Sequence, residues 1–380
     1  MDVLHARRRD LLKGRRVGLL SHQAALTSDG STSAQLLHRM LGTRLVALYG
    51  PEHGFFGQAG AGEHTYTRPH PDWNIPVYSL YGERRKPAPE MLTGVDLVVC
   101  DLQDLGTRCY TYLATLRNML EACAEAGVEV VVTDRPIPLP QIVDGPMPDP
   151  KFASFVAPCS LPLLYGMTPA ESACWMQDSF GLNVRLSVVP MEGWSRADAA
   201  WDGARPAYVP PSPGIKTWEC AMTYAATVFS EALPGIDCGR GTNLAFRVLG
   251  APWLRAEPFC DRIAAERPAG VTFHPYRYVA AMMPYAGKEL DGVRLTVTDP
   301  ARFRPAQVSL VILQTLAGLY GTARVWRHKG VRPEWFDKLY GTDRVRKHMA
   351  TRAPLKPLFA EWAHERQAFD AARAKALLYA

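Results

Sequence analysis

Short apolar runs alternate with longer amphipathic segments through the first half of the chain. Runs rich in β-branched residues occupy positions 16–20, 44–49, 96–100, 129–133 and 184–189. Segments with apolar residues at helical spacing lie between or beside them, at 31–41, 110–126 and 168–180. Strands that alternate with helices are typical of βαβ units, whose strands form a parallel sheet. The pattern therefore predicts an α/β domain.

The second half of the chain has a different pattern. Helical patterns occur at 218–232, 306–319 and 358–378, and strand-like runs at 271–273 and 293–297. Loops are predicted at 204–214, which is rich in proline, and at 234–242, which is rich in glycine. This mixture predicts a smaller α+β domain. We expect one domain over 1–233 and a second over 234–380.

Each of the first four predicted strands ends in polar or ionisable residues. They are His22 after the first strand, Glu52 and His53 after the second, Asp101 and Asp104 after the third, and Asp134 and Arg135 after the fourth. Open α/β sheets bind ligands at the carboxyl ends of their strands, where the loops leave a crevice. The sequence therefore predicts a functional site at this edge.

The loop after the second strand reads GPEHGFFG over 50–57 and presents two titratable groups. Glu52 could serve as a general acid if partial burial raised its pKa. The alternative is a turn whose polar residues are simply solvated. His22 and His53 lie on neighbouring loops, but no HExxH or histidine-rich cluster accompanies them, so we expect no metal.

The segment DLQDLGTRCYTY, at 101–112, has more polar groups than a turn requires. Asp104 and Arg108 could equally form a helix cap or a buried ion pair. Asp134 and Arg135 likewise fit either an ion pair that fixes their loop or direct contact with substrate.

The segment GRGTN, at 239–243, places Arg240 between two glycines. Guanidinium groups form bidentate pairs with carboxylates, so Arg240 is a candidate anion ligand. A solvated surface arginine is the alternative.

Composition narrows the class of protein. The chain has 380 residues, of which 47% are hydrophobic and 21% charged, which excludes a disordered or coiled-coil chain. A net charge of +6 spread over this length is too weak for a nucleic-acid footprint. No signal-peptide or membrane-spanning segment is evident, so a cytoplasmic protein without membrane association is expected.

Several common catalytic signatures are missing from the sequence. It contains no GxxxxGK[ST] phosphate loop and no GxSxG nucleophile elbow. GAGEH, at 60–64, is only a fragment of a dinucleotide fingerprint. We therefore expect no cofactor.

Seven motifs in a fixed order resemble the exo-β-N-acetylmuramidase family, the NamZ-type or YbbC-like proteins. They are GPEHGFFG (50–57), VYSLYG (77–82), DLQDLGTRCYTY (101–112), TDRPIP (133–138), YGMTPAE (165–171), PPSPG (210–214) and GRGTN (239–243). The resemblance implies a glycoside hydrolase that releases N-acetylmuramic acid from the non-reducing ends of peptidoglycan fragments. It also implies a Rossmann-like domain joined to a smaller auxiliary domain, with the active site in the cleft between them.

The resemblance makes Glu52, in the PEHG motif, the leading catalytic candidate. The other residues at matching motif positions are His53, Asp101, Asp104, Arg108, Tyr110, Asp134, Arg135 and Arg240. Phe56 and Cys238 stand where the family pattern has an arginine and a glutamate. The expected partner is a peptidoglycan-derived sugar or muropeptide, not nucleic acid.

The working hypothesis makes Glu52 the acid of the reaction. Asp101 or Asp104 would then orient the acetamido group of the sugar, and Arg108 or Arg240 would hold the lactyl carboxylate of muramic acid. Two alternatives remain open at this point: a non-catalytic protein that binds a sugar or muropeptide, and a hydrolase of another acetamido sugar.

Overall fold

The computed structural model describes residues 1–198 and 208–380. The strands are β1 (Val17–Leu20), β2 (Leu45–Gly50), β3 (Arg68–Pro69), β4 (Pro76–Ser79), β5 (Leu97–Cys100), β6 (Glu129–Thr133), β7 (Leu186–Val189), β8 (Val248–Gly250), β9 (Val271–Val279) and β10 (Glu289–Val297). The helices are α1 (Asp2–Arg7), α2 (Ser33–Leu41), α3 (Tyr112–Ala126), α4 (Pro169–Phe180), α5 (Trp218–Thr227), α6 (Ala256–Ala265), α7 (Pro305–Tyr320), α8 (Thr322–Trp326), α9 (Pro333–Tyr340), α10 (Arg344–Thr351) and α11 (Leu355–Ala374). Of the predicted proline-rich loop, 204–207 lies outside the described residues, and 208–214 contains no helix or strand.

The first seven strands form one sheet in the order β3-β4-β2-β1-β5-β6-β7. All neighbours are parallel except β3, which runs antiparallel to β4. Without β3 this is the strand order of the doubly wound Rossmann fold, in which the direction of winding reverses between the first and fourth parallel strands. The α/β fold predicted from the alternating pattern is confirmed.

Alternate residues of the central strands pack into two different cores. Leu19 and Val99 point to one face, where they join Leu37 of α2. Leu20 and Val98 point to the other face and join the core that includes α3 and α4. Because both faces are covered, these strands read as continuous apolar runs without alternation.

Side-chain caps explain where two of the crossover helices begin. Thr32 and Gln35 form a reciprocal capping box at the start of α2, and Thr168 and Glu171 do the same for α4. Each box satisfies backbone N–H groups that have no partner inside the helix. α4 then ends at Gly181, which adopts the left-handed conformation that glycine favours.

The second unit contains a three-stranded antiparallel sheet in the order β8-β10-β9, packed against α6. β9 continues to Val279 and pairs with β10 along its whole length, whereas the sequence predicted only 271–273. The apolar run is interrupted there because residues 274–277 of β9 are exposed or only half-buried. The smaller α+β unit is confirmed, while the exact domain boundary at 233 stays a prediction. None of the described helices is sufficiently long and apolar to cross a membrane.

The turn after β2 is too tight for a side chain at its first position. A Cβ atom added to Gly50 would lie 2.4 Å from the backbone nitrogen of Phe55 and 2.9 Å from its Cα atom. Backbone atoms cannot move aside cheaply, so the loop that carries Glu52 depends on glycine at this position.

We predict that Gly50→Ala lowers the free energy of unfolding by about 1–3 kcal/mol, as overpacking of a tight site does. The matched control is Gly318→Ala, on an exposed position of α7 where nothing lies within 4 Å of the added Cβ. That change should raise stability by about 0.5–1 kcal/mol, because alanine favours helix. Urea denaturation measures the free energy of unfolding of both variants. Equal changes in the two would contradict the close approach of Gly50 to the backbone of Phe55.

Candidate active site

Loops at the carboxyl edge of the large sheet meet the second unit around a cleft of 490 Å³. The side of the Rossmann-like domain contributes the loop after β2, the loop after β4 and the start of α3. The other side comes from α5, the segment that follows it, and α9. The cleft is lined by Glu52, His53, Ala61, Gly62, Tyr81, Arg85, Cys109, Tyr110, Thr111, Ser154, Phe155, Val156, Ser212, Gly214, Ile215, Tyr224, Glu231, Arg240, Phe246, Arg332, Trp335, Lys338 and Leu339.

The carboxyl group of Glu52 is held by donors on both oxygens. The hydroxyl of Thr111 donates to Oε2 at 2.7 Å, and the backbone N–H of Gly62 donates to Oε1 at 2.9 Å. Burial, followed by the charge of Glu52 and a hydrogen bond with it, raises the pKa of Tyr81 to about 12. Tyr81 therefore keeps its proton and is a third donor beside this carboxyl group.

His53 lines the same cleft next to Glu52. Its backbone has φ of 73°, in the left-handed region that a non-glycine residue rarely adopts. Nδ1 lies 3.0 Å from the carbonyl oxygen of Ala59, so this nitrogen carries the hydrogen. The bond fixes the orientation of the imidazole ring at the wall of the cleft.

Glu231 is a second carboxyl group in the cleft, and the sequence analysis missed it. It lies just beyond α5, and its Oε1 is 3.5 Å from Nη1 of Arg240. Burial raises the pKa of Glu231; Arg240 opposes this, and the charge of Glu52 adds to it. The residue ends a predicted helix, where a glutamate is ordinarily a solvated surface residue. The one sequence feature that pointed to Glu231 was the glycine-rich loop after it, which returns the chain so that Arg240 lies beside the end of the helix.

Four cations and two carboxyl groups line the cleft. Arg240 faces Glu231, and Arg332 donates to the backbone carbonyl of Glu231. Arg85 instead stacks on aromatic rings, with its guanidinium carbon 4.5 Å from the centre of Phe155 and 5.6 Å from that of Tyr81. Within the part of the chain that the structure describes, neither Arg85 nor Lys338 forms an ion pair. The cleft therefore has unpaired positive charge for an anionic ligand.

The structure places Asp101 and Arg135 together but outside the described lining of the cleft. Nε and Nη2 of Arg135 donate to the two oxygens of Asp101 at 2.5 Å and 2.9 Å, and Ser33 donates to the same carboxylate. Burial acts to raise the pKa of Asp101, but Arg135, the N-terminal ammonium group and the hydrogen bond from Ser33 together lower it to about 2. With both oxygens engaged, Asp101 fixes the loops around β5 and β6.

Asp104 and Arg108 are also engaged in structural contacts. Asp104 accepts from the backbone N–H of Gly106 and the hydroxyl of Tyr165, and burial raises its pKa to about 6. The guanidinium of Arg108 is fully buried and donates to three backbone carbonyls, those of Pro146, Leu161 and Leu339. In this structure the guanidinium binds the backbone, and the expected substrate contact of Arg108 stays a prediction.

Asp134 and His22 likewise lie away from the described lining of the cleft. Asp134 accepts from the hydroxyls of Thr168 and Tyr379 and from the N–H of Ala170, and burial raises its pKa to about 6. Nε2 of His22 accepts from the backbone N–H of Gln103, and burial lowers the pKa of His22 to about 3. These groups join the sheet edge to α4, the chain end and β5.

Four of the residues predicted from the sequence do meet in the cleft: Glu52, His53, Tyr110 and Arg240. Phe56 and Cys238, the two departures from the family pattern, are not among its described lining residues. Phe56 packs near His70 and Arg68, while Cys238 is buried. In residues 1–198 and 208–380, no group of three or more His, Cys, Asp or Glu side chains is arranged to hold a metal ion.

Comparison with known families decides the relationship. The N-terminal model of the exo-β-N-acetylmuramidase NamZ matches residues 17–219, and the C-terminal model matches residues 222–379. The chain belongs to the NamZ family. This confirms the resemblance carried by the seven motifs and, with it, the prediction of a glycoside hydrolase.

Individual relatives match this NamZ-family protein over nearly its whole length, in sequence and in structure. The peptidoglycan β-N-acetylmuramidase NamZ of Bacillus subtilis (strain 168) is 34% identical over 380 residues, covering 100% of this chain and 90% of the relative. A crystal structure of a DUF1343 family protein from Bacteroides fragilis NCTC 9343 matches with a TM-score of 0.92 at 30% identity, covering 100% of this chain and 98% of the other. A second such structure from the same strain has a TM-score of 0.74 at 24% identity, over 99% and 97% of the two chains, and supports the fold alone.

We predict that Asp101→Asn lowers the free energy of unfolding by about 3–5 kcal/mol at pH 7, because it leaves Arg135 buried without its partner. Since folding lowers the pKa of Asp101 from 3.8 to about 2, the wild-type advantage is full above pH 4 and shrinks as the pH falls towards 2. Denaturant titrations of both proteins across this range measure the difference.

The control for Asp101→Asn is Asp261→Asn, at an exposed position of α6, which should change stability by less than about 0.5 kcal/mol. Folded Asp101→Asn should keep its turnover number within about threefold of wild type. A large loss of turnover in well-folded protein would show that Asp101 takes part in the reaction.

Proposed function

We propose that this protein is an exo-acting β-N-acetylmuramidase that releases N-acetylmuramic acid from the non-reducing ends of peptidoglycan fragments. The observation that carries the proposal is the placement of Glu52 in a cleft that also holds a second carboxyl group and unpaired positive charge. The cytoplasmic location expected from the sequence stays a prediction.

Hydrolysis of a glycoside needs a proton for the leaving oxygen and negative charge near the anomeric carbon, which becomes cationic. The donors around Glu52 suit an ionised carboxylate, because a carboxylate only accepts hydrogen bonds. We therefore assign Glu52 the negatively charged role. It would activate water, or orient the N–H of the acetamido group while the acetamido oxygen attacks the anomeric carbon.

The lactyl carboxylate distinguishes muramic acid from glucosamine, so a selective enzyme needs a cation for it. The sequence hypothesis named Arg108 or Arg240. Arg108 is engaged with backbone carbonyls, and Arg240 faces Glu231. Arg85 lines the same cleft as Glu52, and its guanidinium stacks on two aromatic rings without an ion-pair partner among the described residues. It is our candidate for this contact.

The first experiment measures release of nitrophenol from para-nitrophenyl β-N-acetylmuramide and from the matching glucosaminide. We expect turnover of the muramide, and a fall in kcat of about 10²–10⁴-fold in Glu52→Gln, the range found for positioned acid–base groups. The matched control is Glu63→Gln, which removes a charge from an exposed glutamate on the same loop and should leave kcat unchanged.

Other results would contradict this proposal. Binding of the muramide without product would favour a non-catalytic binding protein. Turnover of the glucosaminide alone would indicate a hydrolase of another acetamido sugar. A kcat for Glu52→Gln within tenfold of wild type would remove Glu52 from the reaction.

We further predict that Arg85→Met raises KM for the muramide by about 10- to 100-fold, as loss of a charge-assisted hydrogen bond would. KM for the glucosaminide, where it is measurable, should not change, because that sugar has no carboxylate. Arg84→Met is the control: the neighbouring side chain is exposed and lies 3.9 Å from Glu90. Equal changes in Arg84→Met and Arg85→Met would argue against a specific contact.

A further inference from the structure

The cleft contains two carboxyl groups with opposite surroundings, and the difference between them assigns their roles. We propose that Glu231 is the proton donor to the leaving oxygen, across the cleft from Glu52. This inference rests on the glycosidase function proposed above. It adds a catalytic residue that sits outside all of the strand-end loops.

Glu231 is enclosed from several sides. Its side chain is 19% exposed, and the exposed part faces the cleft that Glu52 also lines. Arg240 lies 3.5 Å from Oε1, and the Trp335 side chain donates a hydrogen bond. These contacts fix the direction of the carboxyl group and leave it open towards the sugar site.

Electrostatics favour a proton on Glu231. Burial raises the pKa of Glu231, Arg240 and Arg332 counteract it in part, and the negative charge of Glu52 raises it further. Glu52 has a hydroxyl and a backbone N–H aimed at its two oxygens. When two carboxyl groups share a site, the one with less solvation and fewer donors keeps the proton.

Tyr81 supports the view that the two carboxyl groups face one point. The charges of both Glu52 and Glu231 contribute to raising its pKa, after burial. Glu52 also forms a hydrogen bond with Tyr81, the contribution of Glu231 is the smaller of the two, and Tyr81 keeps its proton. A sugar bound in the cleft would have Glu52 on the wall formed by the Rossmann-like domain and Glu231 on the wall formed by the second unit.

The proposed step balances as follows. The bond between the anomeric carbon and the glycosidic oxygen breaks, and the oxygen keeps the electron pair and takes the proton of Glu231. Water supplies hydroxide to the anomeric carbon. The proton that remains from this water molecule protonates Glu231 again, directly or through Glu52 and solvent. The enzyme thereby returns to its starting state.

The test compares two substrates whose leaving groups differ in their need for a proton. The leaving sugar of the disaccharide N-acetylmuramyl-β-1,4-N-acetylglucosamine must be protonated, whereas dinitrophenolate leaves without one. We expect Glu231→Gln to lose more than 100-fold in kcat on the disaccharide and less than tenfold on 2,4-dinitrophenyl β-N-acetylmuramide. Glu52→Gln should lose activity on both, and Glu334→Gln, at an exposed position of α9, on neither.

Equal losses of Glu231→Gln on the two substrates would overturn the assignment while leaving the glycosidase function intact. If the wild-type protein turned over neither of the two substrates, the proposed function itself would be overturned. Arg240→Gln provides a test that does not require Glu231→Gln to fold. Because Arg240 lowers the pKa of Glu231, its loss should move the alkaline limb of the disaccharide pH–rate profile to higher pH, and an unmoved limb would also contradict the proposal.

Discussion

The guanidinium of Arg108 joins the two units of the molecule. It is fully buried, and it donates to carbonyls of two loops of the Rossmann-like domain, at Pro146 and Leu161, and to that of Leu339 in α9. The same helix places Trp335 and Lys338 in the cleft. A buried charge that satisfies backbone acceptors in this way is costly to disturb. This contact joins α9, which carries two of the residues lining the cleft, to the loops of the Rossmann-like domain.

The polar groups at the carboxyl edge of the sheet fall into two sets, one engaged in structural contacts and one that lines the cleft. Those after β5 and β6, including Asp101, Asp104 and Asp134, are engaged with Arg135, Tyr165 and Thr168 and hold the frame. The loop after β2 instead projects Glu52 and His53 towards the second unit. Catalytic groups in such a fold need a rigid support, and the neighbouring strand ends supply it.

The apolar runs were sufficient to predict five of the seven strands and the crossover helices, because both faces of the central strands are buried. The short strands β3 and β4, at one edge of the sheet, were not predicted. The pattern could not separate Asp101 from Glu52, since both follow a strand and only the tertiary structure shows that Arg135 reaches one and not the other. The burial of Arg108 could not be predicted either, because its position in the motif carries no information about burial. Glu231 was missed because it lies just after a helix of the second unit. The expectation that ligands bind at the carboxyl ends of parallel strands concerns only the other side of the cleft.

The most direct test of this account is a crystal structure of Glu52→Gln with the disaccharide N-acetylmuramyl-β-1,4-N-acetylglucosamine bound. The account predicts the anomeric carbon of the muramic acid between positions 52 and 231, with the glycosidic oxygen within hydrogen-bond distance of Glu231 and the lactyl carboxylate at Arg85. A sugar bound elsewhere, for example beside Asp101 and Arg135, would contradict it.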